Sequence, residues 1–243
     1  MCFGCTIKYG VVGVGLLSNT STVLPNLTIQ DYSAVRATVS TITLPELEQP
    51  AWLKEQVRQE KARRAVSSST PTGSVQPVSH TVTYHVETRG TVMASVAEFK
   101  QQANQTLNDS RGWRRMGVSF REVPSGGMFT LVLAAAKEVP KFAPGGCSSD
   151  LSCRVGRYVI INQDRWLGAT SPWNASGGSL RDYRHMVINH ETGHWLGHGH
   201  QNCQKAGAKA PVMQQQSANL QGCTFNPWPL DSELWSTQLG ISR

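Results

Sequence analysis

The segment HETGHWLGHGH, residues 190–200, concentrates side chains that bind metals and move protons. His190 and His194 are four residues apart, so on an α-helix they stand one turn above each other and can aim imidazole nitrogens at one point. Glu191 follows the first histidine and projects to the side of that point, where a carboxylate can take a proton from an attacking water and return it to a leaving amine. A catalytic zinc ion needs three protein ligands and an open position. Gly197 supplies a bend three residues after His194, tolerating the positive φ at which a helix ends, and the returning chain then delivers His200 as third ligand. A closed structural zinc site would need a fourth ligand; His198 is the nearest candidate but reads as an exposed loop histidine. His185, five residues before His190, points elsewhere.

These side chains need a rigid support. Residues 179–196 predict a helix, with Ser179 as N-cap and Asp182 at the capping-box position. Leu180, Tyr183, Met186 or Val187, His190 and His194 share one face, so the first half of the helix is anchored in the core and the second carries the ligands. Upstream, residues 81–87 (TVTYHVE), 117–123 (GVSFREV), 128–135 (MFTLVLAA) and 157–162 (RYVIIN) read as strands, the middle pair split by the turn PSGG. Residues 96–107 read as an amphipathic helix ended by Asn108-Asp109-Ser110, and residues 231–239 as a last short helix.

His190, Glu191, His194, Gly197 and His200 resemble the extended zinc signature of the metzincin clan of metallopeptidases, and Pro211-Val212-Met213 resembles its Met-turn. The stretches RYVIINQDRW, PVMQQQ and GCTFNPWP around the motif are also similar to an uncharacterised group of exported bacterial metzincin-like proteins. The resemblance implies an α+β fold: a small mixed β-sheet, an active-site helix, and a short C-terminal subdomain across the cleft, beginning after Gly197. It implies that His190, His194 and His200 hold one Zn2+, that Glu191 is the general base, and that Met213 forms an apolar floor beneath the ligands. Extended substrates pair with an edge strand beside such a cleft, and residues 157–162 are the expected edge. Gln214, Gln215 and Gln216 suggest a polar pocket wall. Some members of the clan carry a tyrosine two residues after the Met-turn methionine; here that position is Gln215, so transition-state stabilisation falls to the metal, Glu191 and backbone NH groups.

Composition sets the frame. A chain of 243 residues with 39% hydrophobic and 16% charged residues can build a core but not a membrane bundle. The net charge of +7 is spread along the chain; its densest run, residues 54–64, includes Glu55 and Glu60 and reads as a solvated helical face, so no nucleic-acid partner is expected. Cys147, Cys153, Cys203 and Cys223 flank the motif in Gly- and Ser-rich loops. Four cysteines allow three connectivities; local pairing, 147 with 153 and 203 with 223, implies an oxidising compartment, and the alternative is buried thiols in a cytosolic protein. Residues 9–17 (YGVVGVGLL) read as a short, weak signal or anchor segment, as the remnant of a longer one, or as an ordinary apolar strand. Residues 1–79 therefore form an N-terminal extension, with a helical stretch at 51–66 and a Ser/Thr/Pro linker at 67–79, ahead of a catalytic domain at 80–243. The extension could serve as an inhibitory pro-segment, with Cys2 or Cys5 capping the zinc.

The expected function is zinc-dependent hydrolysis of peptide bonds in a peptide or protein substrate by a secreted or cell-surface enzyme, with weak membrane anchoring through the N-terminus an added possibility. The rival readings are a zinc-binding envelope protein that does not cleave, which has no need of Glu191, and an amidase acting on peptidoglycan.

Overall fold

Strand pairing explains why the apolar run at 129–134 shows no alternation. In the computed structural model, which describes residues 76–242, Phe129–Ala134 forms strand β3 at the centre of a five-stranded sheet, and all six residues are buried. Phe129, Leu131 and Leu133 face the main core, whereas Val132 and Ala134 face a smaller cluster with Val139, Cys147 and Ile160. A strand covered on both faces needs apolar residues at every position.

The other strands are β1 (His80–Arg89), β2 (Val118–Glu122), β4 (Cys153–Val155) and β5 (Tyr158–Asn162), in spatial order β2-β1-β3-β5-β4. Every pairing is parallel except β4 with β5, which makes the sheet mixed and the fold α+β. The turn at 124–127 does not pair β2 with β3; it carries the chain across β1. Glu122 and Phe129 both lie level with Tyr84, on opposite sides of β1. At the crossing Gly127 has φ +85°, and a Cβ there would come within 2.9 Å of the Tyr84 backbone, so only glycine passes.

The edge expected at 157–162 is corrected by this pairing. β5 is bonded on both sides, by β3 and β4, and the edge beside the site is β4, three residues long.

Helix α1 (Val96–Leu107), capped by Ser95 through Glu98 N–H, lays Phe99, Ala103 and Leu107 on the sheet. Two short helices, α2 (Gln163–Gly168) and α3 (Ser171–Ala175), bring Trp166 and Trp173 into the same core. The 17-residue α4 (Leu180–Leu196) starts at Ser179, whose hydroxyl accepts from Asp182 N–H at 3.0 Å and donates to its carboxylate at 2.8 Å. From His185 onward only His194 of this helix is not fully buried, because the C-terminal segment covers the sides that the sheet and α1 leave open. The helix predicted at 231–239 is a single 3-10 turn, Asp231–Glu233.

Disulfides join Cys147 to Cys153 and Cys203 to Cys223. Among the described residues no helix is long and apolar enough to cross a membrane. The apolar stretch at 9–17, the helix at 51–66, nearly all of the linker, and Cys2 and Cys5 lie outside the described residues.

Candidate metal centre

His190 and His194 come from the last two turns of α4, and Gly197 ends the helix at φ +108°. A Cβ on Gly197 would collide with the Thr237 hydroxyl, so both conformation and space demand glycine. The freed carbonyl of Leu196 accepts from the Ser236 hydroxyl at 2.8 Å, which closes the helix end. The chain then turns back, and Gln201 N–H donates to Met213 O at 3.0 Å, placing His200 beside the other two histidines.

The Nε2 atom of His194 lies 3.2 Å from that of His190 and 3.1 Å from that of His200. Two nitrogens bound to one tetrahedral zinc at 2.0–2.1 Å sit about 3.3 Å apart, so the spacing matches a shared ion. The far side of two rings is fixed: His190 Nδ1 donates to Val212 O at 2.8 Å, and His194 Nδ1 donates to His198 O at 2.9 Å. A proton held on Nδ1 leaves the Nε2 lone pair for a cation. Burial and the neighbouring imidazoles pull His190 down to about 3, and burial pulls His194 down to about 4; His200, more exposed, is also lowered by burial. The triad is therefore a neutral donor set at neutral pH, suited to a divalent ion.

Glu191 is buried on the floor of a cleft of about 470 Å³ that the three histidines also line. Burial raises its carboxyl to about 8, opposed only by the positive charge of Arg154. One wall of the cleft is the disulfide loop and β4, including Ser148, Cys153 and Arg154; the other is 215–218. Tyr183 of α4 pins that second wall through a 2.9 Å bond to Ser217, and burial raises its hydroxyl to about 12, so it stays a neutral phenol. Of the three glutamines, Gln215 is exposed and lines the cleft, and Gln216 lines it from a buried network. Gln214 turns inward, donating to Asn219 O at 3.1 Å.

Met213 is fully buried beneath the ligand helix, and a Cβ on Gly193 would strike its sulfur. The turn that carries it is held by Glu233, a fully buried residue whose carboxylate accepts from Val212 N–H at 3.0 Å, Met213 N–H at 2.9 Å and Leu230 N–H at 2.8 Å. Gln216 and Asn226 extend the support: Gln216 donates to Pro211 O and Asn226 O, and Asn226 donates to Ala210 O and Trp228 O.

His198 is not the exposed loop histidine that the sequence suggests. Its ring is 3% exposed, set between Trp113 and Trp235, with Nε2 donating to Trp235 O at 2.9 Å. It stays out of the triad, but its carbonyl orients His194. His185 does point elsewhere, bonding the Thr106 hydroxyl at 2.8 Å beside Trp228. Sequence reasoning passed over Arg154, Gly193 and Glu233. The available signals were a carboxylate set in the apolar stretch WPLDSELW and a glycine inside a helix.

The three cleft histidines and Glu191 are thus gathered by the folding of one helix end, one loop and one turn. The model of a family described as "Protein of unknown function (DUF3152)" matches residues 54–226, most of the chain and all of the segment from the ligand helix through Met213. No curated protein matches the chain.

Proposed function

The chain belongs to the DUF3152 family, and we propose that it is a zinc-dependent hydrolase of peptide bonds, built on the metzincin plan and acting outside the cytosol. The observation that carries this reading is the convergence of three histidines, with His194 Nε2 3.2 Å from that of His190 and 3.1 Å from that of His200, beside a buried glutamate in an open cleft. Further support comes from the mixed sheet with its antiparallel edge beside the cleft, the ligand helix, and Met213 packed beneath it. The two disulfides agree with an oxidising, extracytoplasmic setting.

His190, His194 and His200 would hold the ion, and the carbonyls of Val212 and His198 keep their rings in the productive tautomer. A zinc ion held by these three histidines would supply Lewis acidity toward the scissile carbonyl and the attacking water. Glu191 takes the water's proton and passes it to the departing amine. Burial raises its carboxyl in the metal-free cleft, and the positive charge of a bound ion would oppose that rise, leaving a carboxylate that can accept the proton at neutral pH. β4 offers unpaired backbone groups along which an extended peptide can align.

The test is to load the full chain with zinc and compare cleavage of a mixed peptide library by wild type and Glu191→Ala. The reading predicts cleavage by wild type and a loss of about 10²–10⁴-fold in the variant. Stoichiometric zinc with no difference between the two would instead favour a binding protein without catalysis.

A further inference from the structure

Arg154 is the middle residue of the edge strand β4, exposed, and among the described residues the single lysine or arginine side chain lining the cleft. Its neighbour Cys153 faces the small cluster on the far side of the sheet, so by strand alternation Arg154 stands on the side of α4. There its Nη2 donates to the backbone carbonyl of His194 at 2.9 Å. That bond fixes the guanidinium at the rim of the ligand triad yet engages a neutral acceptor. Among the described residues no carboxylate forms an ion pair with Arg154, whereas Arg89, Arg111, Arg115 and Arg184 each have one. Among the described residues the sole acid lining the cleft is Glu191, on its floor.

We propose that Arg154 is an anion receptor that makes the cleft select peptides bearing a carboxylate beside the bond presented to the metal centre. The proposal rests on the peptide-substrate reading above and names its substrate class: acidic peptides. A guanidinium has five donors in a planar fork, and one is spent on His194, so the remaining edge can grip a carboxylate with two parallel bonds. Around it Ser148, Ser152, Gln215 and Ser217 are neutral and polar, and among the described residues no second lysine or arginine lines the cleft; the other cation a substrate acid can meet is the metal itself, so the dependence on Arg154 is what separates the two. Because Arg154 sits on the strand along which a peptide would align, the selected carboxylate belongs to a residue near the reacting bond, or to a peptide C-terminus ending there.

The probe is a set of fluorescent peptides that carry Glu or Gln at each position around the centre, each with a free or an amidated C-terminus. Binding is measured by anisotropy on the zinc-loaded full chain with Glu191→Ala, which needs no turnover. Glu at one position, or the free C-terminus, should tighten binding by about tenfold. The two arms tell a side-chain carboxylate from a terminal one. Adding Arg154→Gln should abolish that preference, Arg154→Lys should keep part of it, and Arg154→Glu should turn it toward Lys-bearing peptides. Equal binding of Glu and Gln peptides, a preference that survives Arg154→Gln, or no peptide binding at all overturns the proposal. Should wild type cleave nothing while the Arg154-dependent preference holds, hydrolysis fails and the anion receptor stands.

Discussion

The Glu233 carboxylate accepts the backbone N–H of Met213 at 2.9 Å, and through that bond a residue 20 positions downstream sets the turn beneath the metal ligands. The same carboxylate holds Val212, whose carbonyl receives the Nδ1 proton of His190, so one buried acid supports both the floor and the first ligand. Burial raises its pKa while the three N–H donors oppose the rise.

Glu233→Ala should leave three buried N–H groups without an acceptor, at a cost of about 3 kcal/mol or more, and should weaken zinc binding by about 10–100-fold. Glu233→Gln keeps two acceptor lone pairs on one oxygen but puts an NH2 group against other donors, and should lose about 1–3 kcal/mol. Denaturant melts together with competitive zinc titration check both; unchanged zinc affinity in the alanine variant would separate the turn from the site.

Gly193 and Met213 should be coupled. Gly193→Ala puts a methyl into the Met213 sulfur and within 3.0 Å of the Trp113 ring, so it should destabilise by about 1–3 kcal/mol despite the better helix propensity of alanine. Met213→Ala leaves a cavity and should cost about 2–5 kcal/mol. In a double-mutant cycle the pair should cost less than the two single changes added together, since removing the methionine makes room for the methyl.

The metal-free chain should be stabilised by removing the charge of Glu191. Its carboxyl is raised from about 4.5 to about 8, so its contribution to stability is whole below pH 4.5 and is lost as pH rises through about 8. Glu191→Gln should then raise metal-free stability at pH 8 by about 1–3 kcal/mol while destroying activity. A variant no more stable than wild type at pH 8, measured by urea melts at pH 5 and pH 8 with chelator, would contradict the assigned environment.

The ligand histidines predict the opposite limb. His190 and His194 are depressed to about 3 and about 4, so protons compete with the metal only near those values. With His200 lowered in the same direction, zinc affinity should fall less from pH 7 to pH 5.5 than it would for three free imidazoles, half-protonated at about 6.5. His185, also lowered to about 4 by burial but remote from the triad, adds acid lability: its contribution is whole above about 6.5 and is lost as pH falls toward 4.

The site was legible where chemistry imposes spacing on a single element. His190, Glu191 and His194 follow from helical geometry and Gly197 from the bend that must precede His200, whereas the cysteine pairing, local as favoured, was one of three connectivities until the structure joined 147 to 153 and 203 to 223. Long strands and helices were legible from their patterns, as at 129–134 and 180–196. What escaped depends on contacts distant in sequence. β4 has three residues, too few for a pattern, and it is an edge because β5 pairs on both sides. His198 looks like a loop residue until Trp113 and Trp235 close over it from 85 positions before and 37 after. Glu233 reads as part of a helix, yet its carboxylate serves a turn elsewhere in the chain.

The central claim is a three-histidine metal centre with an open position. X-ray absorption at the zinc edge, on the full chain loaded with one equivalent of zinc, tests it most directly. The account predicts three imidazole nitrogens at about 2.0–2.1 Å plus one further oxygen, with the signature lost in His194→Ala. A sulfur ligand, a fourth imidazole, or no stoichiometric zinc would contradict it.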